Sequence, residues 1–331
     1  MANLSAPLLD ELLRDFLTTL RGTFSEREPR GLYAPIDYIL DLGGKRVRPL
    51  VALLAGRMFG DTDSRQTMPV ALAVEVFHNF TLLHDDIMDD SPIRRGQATV
   101  HEKWDVNTGI LSGDLMLIQA YQHLCDCPNK AALPDLLCTF NRVATGVCEG
   151  QQYDVDFEVR DDVLIEEYLK MIELKTAVLL GGALELGALA AGASRADADH
   201  LYAFGRLTGL AFQLQDDLLD TFGDSASTGK LRGNDIIRNK KTFLFLKAVE
   251  ILGADGSEEL NRWYASSPAD PAEKVVRVTQ MMEEAGIPFA VAALRDEFQA
   301  KAYAHLDAAG GDPEIKAVLR GLAEALLQRI S

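Results

Sequence analysis

Two stretches of the chain carry the same arrangement of carboxylates. They are Asp85-Asp86-Ile87-Met88-Asp89 and Asp216-Asp217-Leu218-Leu219-Asp220, each a DDxxD pattern. Helical residues four apart share a face, so Asp85 projects with Asp89 and Asp216 with Asp220. Both clusters close a strongly apolar helical stretch, where the helix dipole disfavours carboxylates and like charges four apart repel. A solvated helix end explains one such cluster as well as a site does. It explains two matched clusters poorly. Clustered carboxylates attract hard cations, and Mg²⁺ characteristically takes one or two carboxylates, waters and phosphate oxygens. Bridged by Mg²⁺, two carboxylate pads would bind a diphosphate even in a chain of formal charge −17.

The basic residues are concentrated in a few places. Gly43-Gly44-Lys45-Arg46-Val47-Arg48-Pro49 sets three cations just before a helix, and Arg94-Arg95-Gly96 follows the first acidic cluster in a loop. Lys175-Thr176 lies inside an otherwise apolar helix. Gly229-Lys230 and Lys240-Lys241-Thr242 flank a glycine-containing loop after the second cluster. Charges of this kind are ordinarily solvated. Beside two metal pads, they are what two separate diphosphates need.

The elements that position these residues read as helices throughout. Apolar residues recur at three and four, and period-two runs of β-branched residues are almost absent. Helices are expected from about Leu8 to Leu20, Tyr33 to Leu42, Leu50 to Phe59, Met68 to Asp89, Gly109 to Leu124 and Leu133 to Glu158. Others follow at Ile165 to Ala191, Ala196 to Phe222, Lys241 to Leu252 and through the C-terminal third. No strand or hairpin is expected. The breakers Gly60-Asp61, Ser91-Pro92, Cys127-Pro128-Asn129, Gly223 to Gly233 and Gly310 to Pro313 are too short for interdomain linkers. The two long apolar helices that end in the acidic clusters belong at the centre of a bundle. The expected fold is therefore all-α, one large helical domain over residues 1–331.

Composition narrows the function classes. Of 331 residues, 47% are hydrophobic and 25% charged, as in a soluble globular protein. No apolar run reaches the ~18 residues of a spanning helix, and the N-terminal stretch lacks the basic and apolar regions of a signal peptide. Strong negative charge argues against nucleic acid and against a polybasic membrane anchor. The cysteines Cys125, Cys127, Cys138 and Cys148 form no CxxC pair, which fits free thiols in a reducing compartment.

With these motifs in order, from GGKRVRP to about Thr242, the chain resembles the trans-isoprenyl diphosphate synthase family. Over the last quarter only helical periodicity is readable. The resemblance implies an isoprenoid-synthase bundle with a central cavity between long helices, a cytoplasmic location and a homodimer. It also implies Mg²⁺, three ions, held by Asp85, Asp86, Asp89, Asp216 and Asp220 on an allylic diphosphate. Arg94, Lys175, Thr176, Gln213, Lys230 and Lys240 match positions that touch that diphosphate. Lys45, Arg48, His78 and Arg95 match the pocket for isopentenyl diphosphate, and Gln151 and Asp154 match supporting positions near the metals. Asp85, Asp86, Asp89, Lys175, Asp216 and Lys230 would carry catalysis by ionisation, condensation and elimination, with the Gly223–Gly233 loop as a lid.

Product length would be set along the helix that precedes Asp85, which descends about 5.4 Å per turn. Thr81 is nearly in line with Asp85, and Phe77 lies about 80° round. The family resemblance instead nominates Phe80, an aromatic that marks geranylgeranyl-type enzymes. A fifteen- or twenty-carbon product is expected, with a longer polyprenyl product as the alternative. Among rivals, a terpene cyclase ordinarily carries an Asn/Ser/Glu second metal motif and has no need of Lys45 and Arg48. A non-catalytic subunit typically loses one acidic motif, and this chain keeps both. Asp105-Val106-Asn107 departs from the family's usual Gly and Pro, which puts the local loop geometry in question.

Overall fold

Period-three and -four apolar spacing does produce helices. The computed structural model describes residues 2–223, 233–266, 268 and 270–328. In chain order the helices are α1 (Ala2–Arg21), α2 (Arg30–Asp41), α3 (Val47–Met58), α4 (Met68–Met88), α5 (Val100–Lys103) and α6 (Val106–Cys125). After a 3₁₀ turn at Lys130–Ala132 come α7 (Leu133–Val159), α8 (Ile165–Ile172), α9 (Val178–Ala190) and α10 (Arg195–Phe222). The last are α11 (Asn234–Ile237), α12 (Phe243–Ile251), α13 (Gly253–Ala265), α14 (Pro271–Glu284), α15 (Ile287–Ala308) and α16 (Pro313–Leu327). The all-α expectation is met, and among the described residues no helix is long and apolar enough to cross a membrane.

Two local features depart from the expected elements. Ile93–Arg94 (β1) and Gln97–Ala98 (β2) form a small antiparallel hairpin. Its turn residues, Arg95 and Gly96, both have positive φ (52° and 77°), as the tightest hairpin turns require. Two-residue strands are too short for any alternation to register. The second departure lies within the helix expected over Ile165–Ala191. It is interrupted between α8 and α9 by one π-helical turn, Glu173–Ala177, which contains Lys175. Such bulges concentrate at functional sites.

The chain divides into two compact units. The first comprises Met1–Asn141, Gly182–Tyr202 and Ala309–Leu319; the second comprises Arg142–Gly181, Ala203–Ala308 and Arg320–Ser331. In the first unit α4 runs through the core, with Val70 through Phe77 all buried. The helices α1, α2, α3 and α6 pack against it, and they bury Leu12 and Phe16, Ile36 and Ile39, Leu53 and Leu54, and Met116 respectively. Such a helix is apolar around most of its circumference. Asp105, at the position that departs from the family pattern, caps α6: its carboxylate accepts from the Thr108 amide at 2.8 Å. The second unit closes around Tyr168, Met171, Leu210, Leu214, Phe243, Leu244, Leu260, Val278 and Met282. Asp270 and Pro271 start α14 in the usual way, with the Asp270 side chain accepting from the Ala272 amide.

Candidate functional site

In the first unit α4 ends at the first acidic cluster. The Asp89 amide bonds to the Asp85 carbonyl, and the chain then turns out through Asp90 in the left-handed region (φ 48°). Asp85 is half-buried, Asp86 buried and Asp89 exposed. Arg94, on β1, donates from Nε to Asp86 Oδ2 at 2.7 Å, and its Nη2 stands 3.7 Å from Asp85 Oδ2. One guanidinium thus offsets the repulsion between adjacent carboxylates. Burial raises the Asp86 pKa, against the opposing hydrogen bond from Arg94. The second oxygen, Asp86 Oδ1, is buried and has no hydrogen-bond partner. Asp85, Asp86 and Asp89 offer carboxylate oxygens, one of them buried and unpaired, and this is the donor type that Mg²⁺ takes, so the residues fit that ion in kind. A separate trio, Asp90, His101 and Glu102, brings three ligand atoms within 4.8 Å of one another. Its imidazole nitrogen suits Mg²⁺ less well.

Two helical turns earlier on α4 stands His78, and Arg48 Nη1 lies 3.2 Å from its Nε2. Arginine has no acceptor, so Nε2 accepts and Nδ1 carries the ring proton. Burial first, then the positive charges of Arg48, Arg95, Arg94 and Arg46, hold the His78 pKa well below the ordinary histidine value. The ring is neutral at pH 7. The loop before α3 is built from positive φ angles at Gly43, Gly44 and Arg46. Arg95 donates from Nη1 to the Gly43 carbonyl. A Cβ on Gly44 would lie 2.8 Å from the Arg95 Cζ, so the guanidinium rests where only glycine leaves room. Lys45 is exposed at this loop.

The three product-length candidates also lie on α4. Phe77 is fully buried, 5.6 Å from the Phe80 ring and edge-on to Phe140 at 5.1 Å. Phe80 stacks edge-on with His84 at 4.8 Å, and the Thr81 hydroxyl donates to the His78 carbonyl at 2.8 Å. Phe77 and Phe80 therefore pack against each other as one aromatic group.

In the second unit, Lys175 on the π turn pairs with Asp154 of α7 at 2.6 Å. This approach depends on Gly150. A Cβ there would stand 2.2 Å from the Lys175 backbone nitrogen and 2.6 Å from the Leu174 carbonyl carbon. Backbone cannot swing aside as a side chain does, so Gly150→Ala is expected to move the π turn and destabilise the protein by about 1–3 kcal/mol. Urea unfolding checks this. Thr176 is half-buried beside Lys175, and Gln151 holds a buried Nε2 without a partner.

The second acidic cluster ends α10. Asp216 and Asp220 are half-buried, whereas Asp217 is buried. Both Asp217 oxygens are engaged: Tyr168 donates its hydroxyl to Oδ2, and Gln213 donates from Nε2 to Oδ1 at 3.1 Å. Burial pushes the Asp217 pKa up to about 7. Asp220 accepts from the Asp235 amide at 2.9 Å, and its carbonyl accepts from Gly233, which ties the cluster to the start of α11. Lys240 is exposed after α11. Its neighbour Lys241 is engaged structurally, with Nζ bonded to the Arg160 carbonyl and paired with Asp161. Lys230, with residues 224–232 of the expected lid, lies outside the described residues.

The structure thus joins Arg48 to His78, Arg94 to Asp85 and Asp86, and Lys175 to Asp154. It turns the Gln213 amide nitrogen onto Asp217. Two residues of these sites were not among the sequence candidates. Tyr168 gave no signal, because the contact it makes is distant in sequence. Gly150 opens the Gly-Gln-Gln-Tyr-Asp stretch, but its close approach to the backbone of Leu174 and Lys175 was not readable there.

Comparison with known proteins now bears on this arrangement. The polyprenyl synthetase family model matches residues 29–282. The geranylgeranyl diphosphate synthase of Methanosarcina mazei is 43% identical over 223 residues, 67% of this chain and 68% of that protein. The geranylfarnesyl diphosphate synthase of Natronomonas pharaonis is 38% identical over 280 residues, 78% of this chain and 79% of its own. A crystal structure of a geranylgeranyl pyrophosphate synthase superposes with a TM-score of 0.92 at 47% identity, covering 98% of this chain and 99% of the other. The chain belongs to the polyprenyl synthetase family and is a prenyltransferase, a trans-polyprenyl diphosphate synthase.

Proposed function

We propose that the enzyme condenses an allylic diphosphate with isopentenyl diphosphate and stops at fifteen or twenty carbons. The observation that carries this reading is the separation of two charge sets along α4. Asp85, Asp86 and Asp89 cluster at its end, and the Arg48–His78 pair stands two turns earlier. One set suits a metal-bound diphosphate and the other a second diphosphate held by side chains without metal.

In this reading Asp85, Asp86, Asp89, Asp216 and Asp220 hold Mg²⁺, three ions by family resemblance. When bound, the metal neutralises the allylic diphosphate and stabilises negative charge on the leaving group. Arg94, Lys175, Thr176, Gln213, Lys230 and Lys240 bind the same diphosphate and stabilise its departure as the allylic carbon–oxygen bond breaks. Lys45, Arg48, His78 and Arg95 hold isopentenyl diphosphate, whose double bond attacks the allylic carbon. The neutral His78 ring contributes a hydrogen bond, not a charge. The new carbon–carbon bond leaves a tertiary cation, which loses a proton to the released diphosphate. The Phe77–Phe80 group limits growth and keeps water from the cation.

Both compact units are proposed to serve as one catalytic domain, since the family match spans residues of each. The active form is proposed to be a cytoplasmic homodimer. Exposed Ile110, Leu111 and Ile118 on α6, 41%, 59% and 62% accessible, form an apolar face that suits a second copy. Sedimentation at micromolar concentration should show the dimer, and Ile118→Asp should shift it toward monomer.

Sizing the products from dimethylallyl, geranyl and farnesyl diphosphates tests the length assignment. Chains of fifteen or twenty carbons support it, and a main product of twenty-five or more overturns it. Phe80→Ala and Phe77→Ala should each lengthen the product by at least one five-carbon unit. Unchanged lengths in both would remove these rings from the account.

A further inference from the structure

The loop that presents Lys45 and Arg48 is fastened from beneath by an ion pair with no assigned role. Arg46 lies between those two residues and is turned the other way: it is 6% exposed, whereas Lys45 is exposed. Its Nη1 donates to Glu75 Oε1 and its Nη2 to the Leu40 carbonyl of α2. Glu75 is 2% exposed, and the fully buried Asn79 donates to its Oε1 and to its backbone carbonyl, both at 2.8 Å. One residue of the loop is thereby tied to α2 and α4 together.

Arg46 also holds a left-handed backbone conformation (φ 49°) as the residue preceding the first turn of α3. A non-glycine residue in that region is strained and persists only where its surroundings enforce it. The ion pair supplies that enforcement. At the left-handed Arg46 the side chain is buried, while Lys45 is exposed and Arg48 reaches His78. Glu75 sits three residues before His78 on the same helix, so one helix face carries both the fastener and the partner of Arg48.

We propose that Arg46 and Glu75 are positioning residues for isopentenyl diphosphate: the buried pair fixes the left-handed turn that aims Lys45 and Arg48, and touches no substrate itself. The inference rests on the reading that Lys45, Arg48 and His78 bind that diphosphate. The alternative role for the pair is stability alone. Replacing a buried ion pair by apolar residues of similar volume is often neutral for stability, so Arg46→Met/Glu75→Met separates the two roles.

The expected result for this double variant is a folded protein whose KM for isopentenyl diphosphate rises at least tenfold. The allylic-substrate KM and kcat should stay within about twofold. An unchanged isopentenyl diphosphate KM in the folded double variant overturns the proposal. Arg48→Ala, assayed alongside, tests the underlying reading. If it leaves that KM unchanged, the reading of the second site fails. If it raises the KM and the double variant does not, only the positioning role fails. Should the double variant not fold, Arg46→Lys keeps a cation for Glu75 and gives up the Leu40 bond. Its isopentenyl diphosphate KM should rise at least threefold with kcat retained, and no rise in this variant overturns the proposal equally.

Discussion

Asp85→Asn is expected to lower kcat by roughly 10³-fold, equivalent to about 4 kcal/mol of transition-state stabilisation. Asparagine keeps the shape of the side chain and removes the charge that a divalent ion requires. Asp85 lies half-buried, with Arg94 nearer to Asp86 than to it, so the fold should survive the change. Circular dichroism and thermal unfolding should be close to those of the parent protein. Asp216→Asn is expected to behave in the same way. Asp217→Asn provides the internal contrast, because both oxygens of Asp217 are taken by Tyr168 and Gln213. Its kcat should fall by no more than about tenfold. A loss at Asp217 equal to that at Asp216, with activity retained in Asp85→Asn, would contradict the division of roles within the acidic clusters.

Glu75→Ala is the substitution expected to cost most in stability, about 3–5 kcal/mol. It leaves the Arg46 guanidinium buried, with the Leu40 carbonyl as its remaining acceptor from the pair of bonds described, and strips Asn79 of one of its two. The side chains of Arg46 and Glu75 are each 3% exposed, so water cannot readily replace the lost carboxylate. Glu75→Gln retains an acceptor oxygen and should lose less. Chemical denaturation of both variants checks the order. A Glu75→Ala protein within about 1 kcal/mol of the parent would show that the pair is not the buried fastener described here.

The fold class was readable in the sequence because one periodicity runs through nearly the whole chain, and helix α4 in particular is apolar enough to demand a central place. Features of one or two residues were not readable. The hairpin at Ile93–Ala98 has no alternation to detect and depends on two positive φ angles. The π turn at Lys175 is invisible to a helical wheel, since it adds only a local shift to a segment that is helical on either side.

The candidate site was legible where its chemistry is local. Asp85, Asp86 and Asp89 occupy one helix end, and Asp216 and Asp220 another. It was illegible where side chains from distant segments meet. Arg46 reads as one more cation in a basic cluster until Glu75, on another helix, is found against it. Gln213 and Asp217, four apart on α10, were readable as a pair, but their shared partnership with Tyr168 of α8 was not.

The most direct test of the central claim is incubation of the purified protein with labelled isopentenyl diphosphate, an allylic diphosphate and Mg²⁺, with a chelated control. The account predicts an elongated prenyl diphosphate that disappears with the chelator and returns when Mg²⁺ is restored. No elongated product from dimethylallyl, geranyl or farnesyl diphosphate, with folded protein and excess Mg²⁺, would contradict it.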